Sequence, residues 1–181
     1  MTGPEPSLPD KVLAIHSALA GVAHAFGGAL ALGFYAEPRS TVDVDLNVFV
    51  GPDEAQVVLD RLGSIGVEVS GAAEQVGSDG QVRVWWGRTP IDLFFAYDRF
   101  HDAAAAAVVD QPFAGSALPV LAVEHLVVCK VVFDRPKDWV DLDAIVERGT
   151  PIDAAEVLRW VGRLVGDEDP RYARAARVLT N

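Results

Sequence analysis

Asp43 and Asp45 are the residues whose spacing points most directly to chemistry. They lie two positions apart in the alternating segment 41–50. On a β-strand both carboxylates would leave the same face, roughly 6–7 Å apart at their Cα atoms. Like charges this close repel unless a cation lies between them, and carboxylate oxygens suit Mg²⁺ or Mn²⁺. The alternative is that this face of the strand is simply exposed to solvent.

Asp92 is a third candidate because it interrupts an apolar segment, Ile-Asp-Leu-Phe-Phe. A carboxylate in such surroundings is costly to bury unless it is paired or bound to a metal. If its strand lay next to residues 41–50, the three carboxylates would converge as in a two-metal phosphoryl-transfer site. Taken alone, Asp92 also fits a strand-end residue that reaches water.

Two further groups of residues could contact phosphate. Gly27 and Gly28 lie between a predicted strand and a predicted helix, where a glycine backbone and free N–H groups can approach an anion, although such a pair often marks only a tight corner. Arg39, Ser40 and Thr41 precede the aspartate pair and would add a guanidinium and two hydroxyls.

The second half of the chain contributes a lysine within an apolar helix. Lys130 lies in the predicted helix Val123–Phe133, where its side chain either reaches the surface or points at an anion. Lys137, Asp138 and Asp141 begin the next predicted helix, where acidic residues also favour the helix dipole.

The elements that must position these residues predict an α/β (α+β) fold, with a small mixed β-sheet flanked by helices and a helical C-terminal part. Residues 1–97 would form the sheet core and residues 98–181 a mostly helical part of the same single domain. The predicted strands are 22–26, 41–50, 67–70, 81–86 and 91–96, with a polar loop from 71 to 80 and a turn at 87–90. The predicted helices are 9–19, 29–35, 53–62, 98–107, 123–133, 136–148, 152–165 and 170–179.

Charge and composition exclude several classes of protein. The 181 residues contain 15 Lys and Arg against 26 Asp and Glu, a net charge of −11 that argues against a broad basic face for nucleic acid, and DNA is not an expected partner. The single cysteine, Cys129, allows no internal disulfide and predicts a reducing compartment. No apolar run is long enough for a membrane span, and the proline-rich first nine residues do not resemble a secretory signal, so a cytoplasmic location is expected.

The combination of motifs resembles a known superfamily. Gly27-Gly28, the pattern Arg39-x-Thr41-x-Asp43-x-Asp45 and a single Asp92 on a later strand are similar to the nucleotidyltransferase superfamily, with its polymerase-β-like fold. Lys130 and the following Arg135-Pro136-Lys137-Asp138-Trp139-x-Asp141-Leu142 resemble the AbiEii-type, MenT-like branch. Members of that branch include bacterial toxins that transfer nucleotides from NTP to the acceptor end of tRNA with Mg²⁺.

The resemblance implies a role for each candidate. The implied metal ligands are Asp43, Asp45 and Asp92. The implied contacts to the nucleotide phosphates are Gly27, Gly28, Arg39, Ser40, Thr41, Lys130 and, as a weaker candidate, Lys137. Asp92, or less favourably Asp138, would activate the acceptor hydroxyl, and Asp141 is a weaker candidate for the site.

Three functions remain open from the sequence. The first is NMP transfer to tRNA by the toxin of a toxin–antitoxin system, for which the basic stripe Arg171, Arg174 and Arg177 could contact the RNA backbone. The second is transfer to a cationic small molecule, because the glycine and aspartate motifs also resemble aminoglycoside nucleotidyltransferases. The third is a protein of this fold that binds NTP or a partner protein, such as an antitoxin, without turnover.

Overall fold

The computed structural model describes residues 5–180. Residues 1–4, part of the proline-rich start considered above, and residue 181 lie outside the described residues. The described strands are β1 (His24–Phe26), β2 (Val44–Val48), β3 (Gln81–Trp86), β4 (Thr89–Phe95), β5 (Val109–Phe113) and β6 (Ser116–Val120). They form one mixed sheet in the order β3-β4-β2-β1-β6-β5.

Helices precede, connect and follow these strands, which confirms the predicted α/β class. None of those in residues 5–180 combines the length and apolar character that a membrane crossing requires. They are α1 (Leu8–Ala18), α2 (Gly28–Tyr35), a short 3-10 helix (Pro52–Glu54), α3 (Ala55–Ser64), α4 (Ala72–Asp79), α5 (Arg99–Ala106), α6 (Val123–Phe133), α7 (Pro136–Glu147), α8 (Ala154–Val165) and α9 (Pro170–Leu179).

The strand β2 is the centre of the sheet and shows the alternation that the sequence predicts. Val44, Leu46 and Val48 point into the hydrophobic core and are at most 1 % exposed. Burying each such side chain contributes about 1.5–3 kcal/mol, so a one-residue slip of the strand would be strongly disfavoured. Asp45 and Asn47 therefore have to lie on the opposite face.

The helix α6 is buried on nearly all sides. It packs against α7, α8 and α9 as well as α2, and Leu126, Val127 and Val128 are at most 1 % exposed. A helix that is apolar all round is stable only inside a protein, which explains why its one lysine, Lys130, is also buried.

A buried lysine fixes the hairpin of β3 and β4 to α1. The Lys11 ammonium donates hydrogen bonds to the Trp86 carbonyl at 2.8 Å and to Thr89 Oγ1 at 2.9 Å, and it pairs with the Glu5 carboxylate. Since the lysine is only 1 % exposed, losing these partners would leave a buried charge unsatisfied. The contact anchors the strand that carries Asp92.

The segment 67–80 differs from the prediction. Only an isolated bridge, Glu68 to Trp85, forms where a strand was expected, and the predicted polar loop contains α4. Ala72 and Val76 are buried one helical turn apart, and Gly71 and Gly80 adopt left-handed conformations at the two ends of α4. The polar composition of the segment hid this short amphipathic pattern.

The segment after α5 also differs, because residues 109–120, for which no strand was predicted in the mostly helical C-terminal part, form a β-hairpin. Ala114 and Gly115 both have positive φ, 47° and 85°, as a tight hairpin turn requires. Pro112 and Pro119 are poor helix-interior residues. The second strand, β6, adds to the sheet through the parallel pairing of Phe26 with Val120.

The β3–β4 hairpin has a tighter turn than predicted. Gly87, with φ of 59°, allows Trp86 to pair directly with Thr89, so β4 begins two positions earlier than the predicted turn at 87–90 implies, while β3 keeps its predicted bounds. The side chains stay on the predicted faces, but the cross-strand partner of Asp92 becomes Arg83.

Candidate active site

The predicted carboxylates converge on one face of the sheet. β2 and β4 are parallel neighbours, with Asp45 directly opposite Asp92, and Asp43 immediately precedes β2. All three line a small polar cavity of about 50 Å³. The structure therefore brings the Asp43 and Asp45 pair together with Asp92, although Asp45 and Asp92 are 47 positions apart in the sequence.

The electrostatics differ between the two aspartates of the pair. Burial, together with the charges of Asp92 and Asp43, raises the pKa of Asp45 to about 6. Burial also raises the pKa of Asp43, but a 2.7 Å hydrogen bond from Thr41 Oγ1, backbone N–H groups and the Lys137 charge outweigh it and leave the pKa below its usual value. Asp45 thus experiences most of the repulsion, which a bound cation would relieve.

The two glycines form the floor beside Asp45. The Gly27 N–H donates to the Asp45 carbonyl at 2.9 Å. Gly28 opens α2 with φ of 54°, and a Cβ there would lie 1.7 Å from Asp45 Oδ2. Any other residue at this position would be strained and would collide with the carboxylate. Gly28 is therefore required by the site's own packing, whether or not a phosphate binds.

A ladder of ion pairs lies behind the carboxylates. Arg39 donates to both oxygens of Asp141, at 2.9 and 3.0 Å, and Lys130 Nζ donates to Asp141 Oδ2 at 2.6 Å. Lys130 also lies 3.9 Å from Asp138 Oδ1, and Arg135 binds the Asp138 carboxylate at 2.7 and 3.1 Å. We call these five residues the ion-pair ladder.

The ladder settles where Lys130 points. Its side chain is buried and does not reach the surface, and it lines the polar cavity while bonded to Asp141. Burial raises the pKa of Asp141, but hydrogen bonds from Arg39 and Lys130 outweigh it and keep this pKa below its usual value. Asp141, a weaker candidate from sequence, is thus the residue that orients both cations.

The remaining predicted residues divide into two sets. Thr41, Lys137 and Asp138 line the polar cavity, and Lys137 is exposed. Ser40 is exposed and does not line the polar cavity.

Arg83 and Arg135 are site residues that the sequence reasoning missed. Both line the polar cavity, and Arg83 donates to both oxygens of Asp92, each at 2.7 Å. A two-residue turn at Gly87-Arg88 sets the hairpin register that pairs Arg83 with Asp92. Recognising that turn in the sequence would therefore have identified Arg83. Arg135 stands in the quoted motif three residues before Asp138, the spacing at which a helix cap contacts the first turn.

Two larger cavities continue from the polar one, and Asp45 and Arg135 line all three. One, of about 260 Å³, adjoins Asp92 and is lined by Gln75, Gln81 and Arg83. The other, of about 310 Å³, lies between the sheet and α5, α6 and α8, with Phe94, Tyr97, Phe100 and Phe133 in its walls. The site thus joins a charged end to an aromatic end.

Within residues 5–180 no three His, Cys, Asp or Glu side chains are arranged as a ready-made metal site. Two of the histidines, His16 and His24, contact each other through ring nitrogens that lie 2.9 Å apart. The carboxylate donors still suit a hard cation, since Asp43 and Asp45 share a face and the charges of Asp43 and Asp92 destabilise the ionised form of Asp45.

Comparison with solved structures places the fold. The antibiotic-resistance factor ANT(2'')-Ia in solution is 14 % identical over 94 % of this chain and 90 % of its own, with a TM-score of 0.57. Its crystal structure in complex with adenylyl-2''-tobramycin is 12 % identical over 94 % and 96 %, with a TM-score of 0.54. An antigenic nucleotidyltransferase-like protein from Paracoccidioides brasiliensis is 17 % identical over 93 % and 90 %, with a TM-score of 0.51. At these identities the similarity concerns the fold.

The family is shown by sequence. No curated protein matches the chain, but residues 13–178 match the family described as nucleotidyl transferase AbiEii toxin, type IV toxin–antitoxin system. This match covers the carboxylates, the glycine turn and the ion-pair ladder, and it confirms the branch that the motifs predicted. The chain is a nucleotidyltransferase and belongs to the AbiEii toxin family.

Proposed function

We propose that the chain transfers a nucleoside monophosphate from an NTP to a hydroxyl of tRNA, as the toxin of a cytoplasmic toxin–antitoxin pair. The family supports the toxin role and an antitoxin partner. The observation that carries the choice of acceptor is the cavity beside Asp92, whose polar walls include Arg83, Arg135, Gln75 and Gln81.

The triphosphate would lie over the polar cavity, which at about 50 Å³ has room for part of it. Five of the chain's 15 Lys and Arg residues line it, a local excess of cations in a protein of net charge −11. These are Arg39, Arg83, Lys130, Arg135 and Lys137. The backbone of Gly28 also lines this cavity. A phosphate can therefore contact the guanidinium groups as well as the N-terminus of α2.

Asp43 and Asp45 are the residues that would hold Mg²⁺ or Mn²⁺, with Asp92 as the third predicted ligand. Bound there, the ion would neutralise charge on the triphosphate and on the leaving pyrophosphate. The protein's own contribution is to fix the two carboxylates on a rigid central strand. Thr41 additionally orients Asp43 through its 2.7 Å hydrogen bond.

Asp92 is the better candidate to accept the acceptor's proton. Asp138 is 1 % exposed, and Arg135 contacts both of its oxygens, so it is less accessible to an incoming hydroxyl than Asp92. Asp92 is 19 % exposed as a side chain and lines the cavity assigned to the acceptor. Activation by Asp92 requires the Arg83 guanidinium to leave at least one oxygen free.

The nucleobase would enter the aromatic cavity. Its volume of about 310 Å³ and the rings of Phe94, Tyr97 and Phe133 suit a flat heterocycle. Gln81 at its edge offers hydrogen bonds to the base.

An RNA acceptor fits the cavity beside Asp92 better than a polycation does. The wall of this cavity contains two arginines and two aspartates. With a cation bound by the aspartates, the arginines would repel ammonium groups and attract RNA phosphates. Farther away, Arg174 and Arg177 of α9 are exposed and could contact RNA backbone, whereas Arg171 is held by Asp169. The basic stripe therefore contributes two of its three arginines.

Transfer to an aminoglycoside is the second candidate. The net charge of −11 favours a cationic acceptor, and a protein of the same fold is known in complex with adenylyl-2''-tobramycin. Once a cation holds the aspartates, Arg83 and Arg135 would oppose a cationic acceptor, whereas they would favour RNA.

The test is a transfer assay with purified protein, Mg²⁺ and each α-labelled NTP, offering total tRNA or tobramycin as acceptor. We expect label on tRNA that is lost in Asp45→Asn. Label on tobramycin alone would replace the tRNA proposal with the second candidate. An active protein should also arrest bacterial growth when expressed, and Asp45→Asn should not.

A further inference from the structure

Three charged side chains form a row across neighbouring strands. Arg83 on β3 opposes Asp92 on β4, and Asp92 in turn opposes Asp45 on β2. Because neighbouring strands lie about 4.8 Å apart, the guanidinium of Arg83 lies at one end of this row and the carboxylate of Asp45 at the other, with Asp92 between them.

Arg83 occupies both oxygens of Asp92. The two hydrogen bonds, from Nε to Oδ1 and from the terminal nitrogen to Oδ2, are each 2.7 Å long. This bidentate geometry is the strongest that arginine makes with a carboxylate. A hard cation bound between Asp45 and Asp92 would face the positive guanidinium across one carboxylate.

We propose that Arg83 is a built-in counter-ion of Asp92 that competes with the divalent cation for this carboxylate. The free protein would then bind the cation mainly through Asp43 and Asp45. The cation's full set of ligands would form only when Arg83 leaves Asp92. This inference rests on the proposed function, because it concerns the same cation.

The surroundings of Arg83 allow it to leave. β3 is an edge strand, and the Arg83 side chain is 51 % exposed. It lines both the polar cavity and the cavity beside Asp92, so the displaced guanidinium remains where phosphates of the NTP or of the RNA would lie. Substrate anions thus offer Arg83 a replacement for Asp92.

A purely structural interpretation makes a different prediction. Cross-strand pairs of opposite charge commonly stabilise a hairpin by about 0.2–1 kcal/mol. If this were the only role of Arg83, its removal would lower stability slightly and leave cation binding unchanged. Cation affinity therefore separates the two interpretations.

The experiment measures Mn²⁺ binding by electron paramagnetic resonance at pH 8, without nucleotide, for wild type, Arg83→Gln and Arg88→Gln. Arg88 lies in the turn of the same hairpin with its side chain 95 % exposed, so its variant matches the change in net charge. We expect Arg83→Gln to lower the Kd for Mn²⁺ by about tenfold, since a guanidinium next to the ion is removed. Arg88→Gln should change it less than twofold.

Equal affinities in the two variants would overturn the inference while leaving the proposed function intact, provided that wild type still binds Mn²⁺. A folded Arg83→Gln protein that binds Mn²⁺ more weakly would also overturn it. If no variant binds Mn²⁺, even with NTP present, both the inference and the cation of the proposed function are wrong. Adding Asp92→Asn to Arg83→Gln should abolish the gain, because the carboxylate that Arg83 releases is then absent.

Discussion

Two neighbouring regions of the site differ in charge balance: the three aspartates Asp43, Asp45 and Asp92, which we call the carboxylate group, and the ion-pair ladder. Asp43, Asp45 and Asp92 concentrate negative charge, and only Asp92 has an arginine on both of its oxygens. The ladder alternates signs, so Asp138 and Asp141 each contact two cations. In the first region like charges repel, and a bound cation would relieve that repulsion, whereas the charges of the ladder are already paired. Charge balance therefore distinguishes the residues that would hold a cation from the ladder, whose cations stay paired while they face the phosphates.

The largest expected effect is on activity, and it comes from a change in the carboxylate group. Asp45→Asn should lower nucleotide transfer by about 1000-fold, because it removes a ligand of the charge-neutralising cation. It should leave the free energy of unfolding at pH 7 unchanged or higher, since one of three repelling charges is gone. The measurements are transfer kinetics and urea unfolding.

Asp60→Asn, which changes charge equally on α3 away from the cavities, should leave both properties unchanged. Near wild-type transfer by Asp45→Asn would contradict the assignment of the carboxylate group.

The next largest effect is on stability, and it comes from a change in the ion-pair ladder. Lys130→Met keeps the side chain's bulk but leaves Asp141 with Arg39 alone, in a place where Asp141 is 3 % exposed. Breaking a buried pair from one side typically costs about 3–5 kcal/mol, and we expect the lower end because Arg39 remains. Urea unfolding measures this loss.

Lys137→Met is the matched variant, since it is exposed and lines the same cavity. It should change stability by less than about 0.5 kcal/mol. Equal stability of the two variants would mean that the ladder does not support the fold, and the comparison between the regions would lose its basis.

Gly28→Ala tests the contact between the glycine turn and the carboxylate group. The new Cβ would lie 1.7 Å from Asp45 Oδ2, at a positive φ, so the Asp45 carboxylate has to move. We expect stability to fall by about 1–2 kcal/mol and transfer to fall by about 100-fold. Thermal unfolding and transfer kinetics measure the two losses.

The control is Gly33→Ala in the same helix, where the nearest atom is Pro38 Cβ at 3.8 Å. It should be neutral or slightly stabilising. A harmless Gly28→Ala would show that Asp45 does not depend on the close approach at this turn.

The sequence was most informative where a residue's neighbours in the chain determine its position. The alternation of Val44, Leu46 and Val48 placed both aspartates on one face, and α6 and α9 have the predicted bounds. It was least informative where a partner comes from another strand. The pairing of Arg83 with Asp92 depends on a two-residue turn, and the pairing of β6 with β1 depends on a hairpin that proline and alanine disguise. Asp141 shows the same limit, because its importance comes from Arg39, distant in the chain.

The smallest expected effect is on the pH dependence of stability, and it compares Asp45 with the buried histidines. Burial lowers the pKa of His24, His101 and His125, so the protein loses stability as pH falls below about 6.5. Asp45 acts in the other direction, because its pKa is raised from 3.8 to about 6. The folded state therefore holds a proton that the unfolded chain releases between these values.

The contribution of Asp45 is present below the unfolded pKa and is lost as pH rises through about 6. Asp45→Asn behaves as a permanently neutral Asp45 and shares all the histidines, so subtracting the two stability curves isolates this one carboxyl. The stability advantage of the variant over wild type should therefore be about 2 kcal/mol larger at pH 8 than at pH 4.5. Urea unfolding across this range, with EDTA present to exclude divalent cations, measures the difference. A difference that stays constant with pH would show that Asp43 and Asp92 do not strain Asp45, and the charge imbalance that sets the carboxylate group apart from the ladder would be absent.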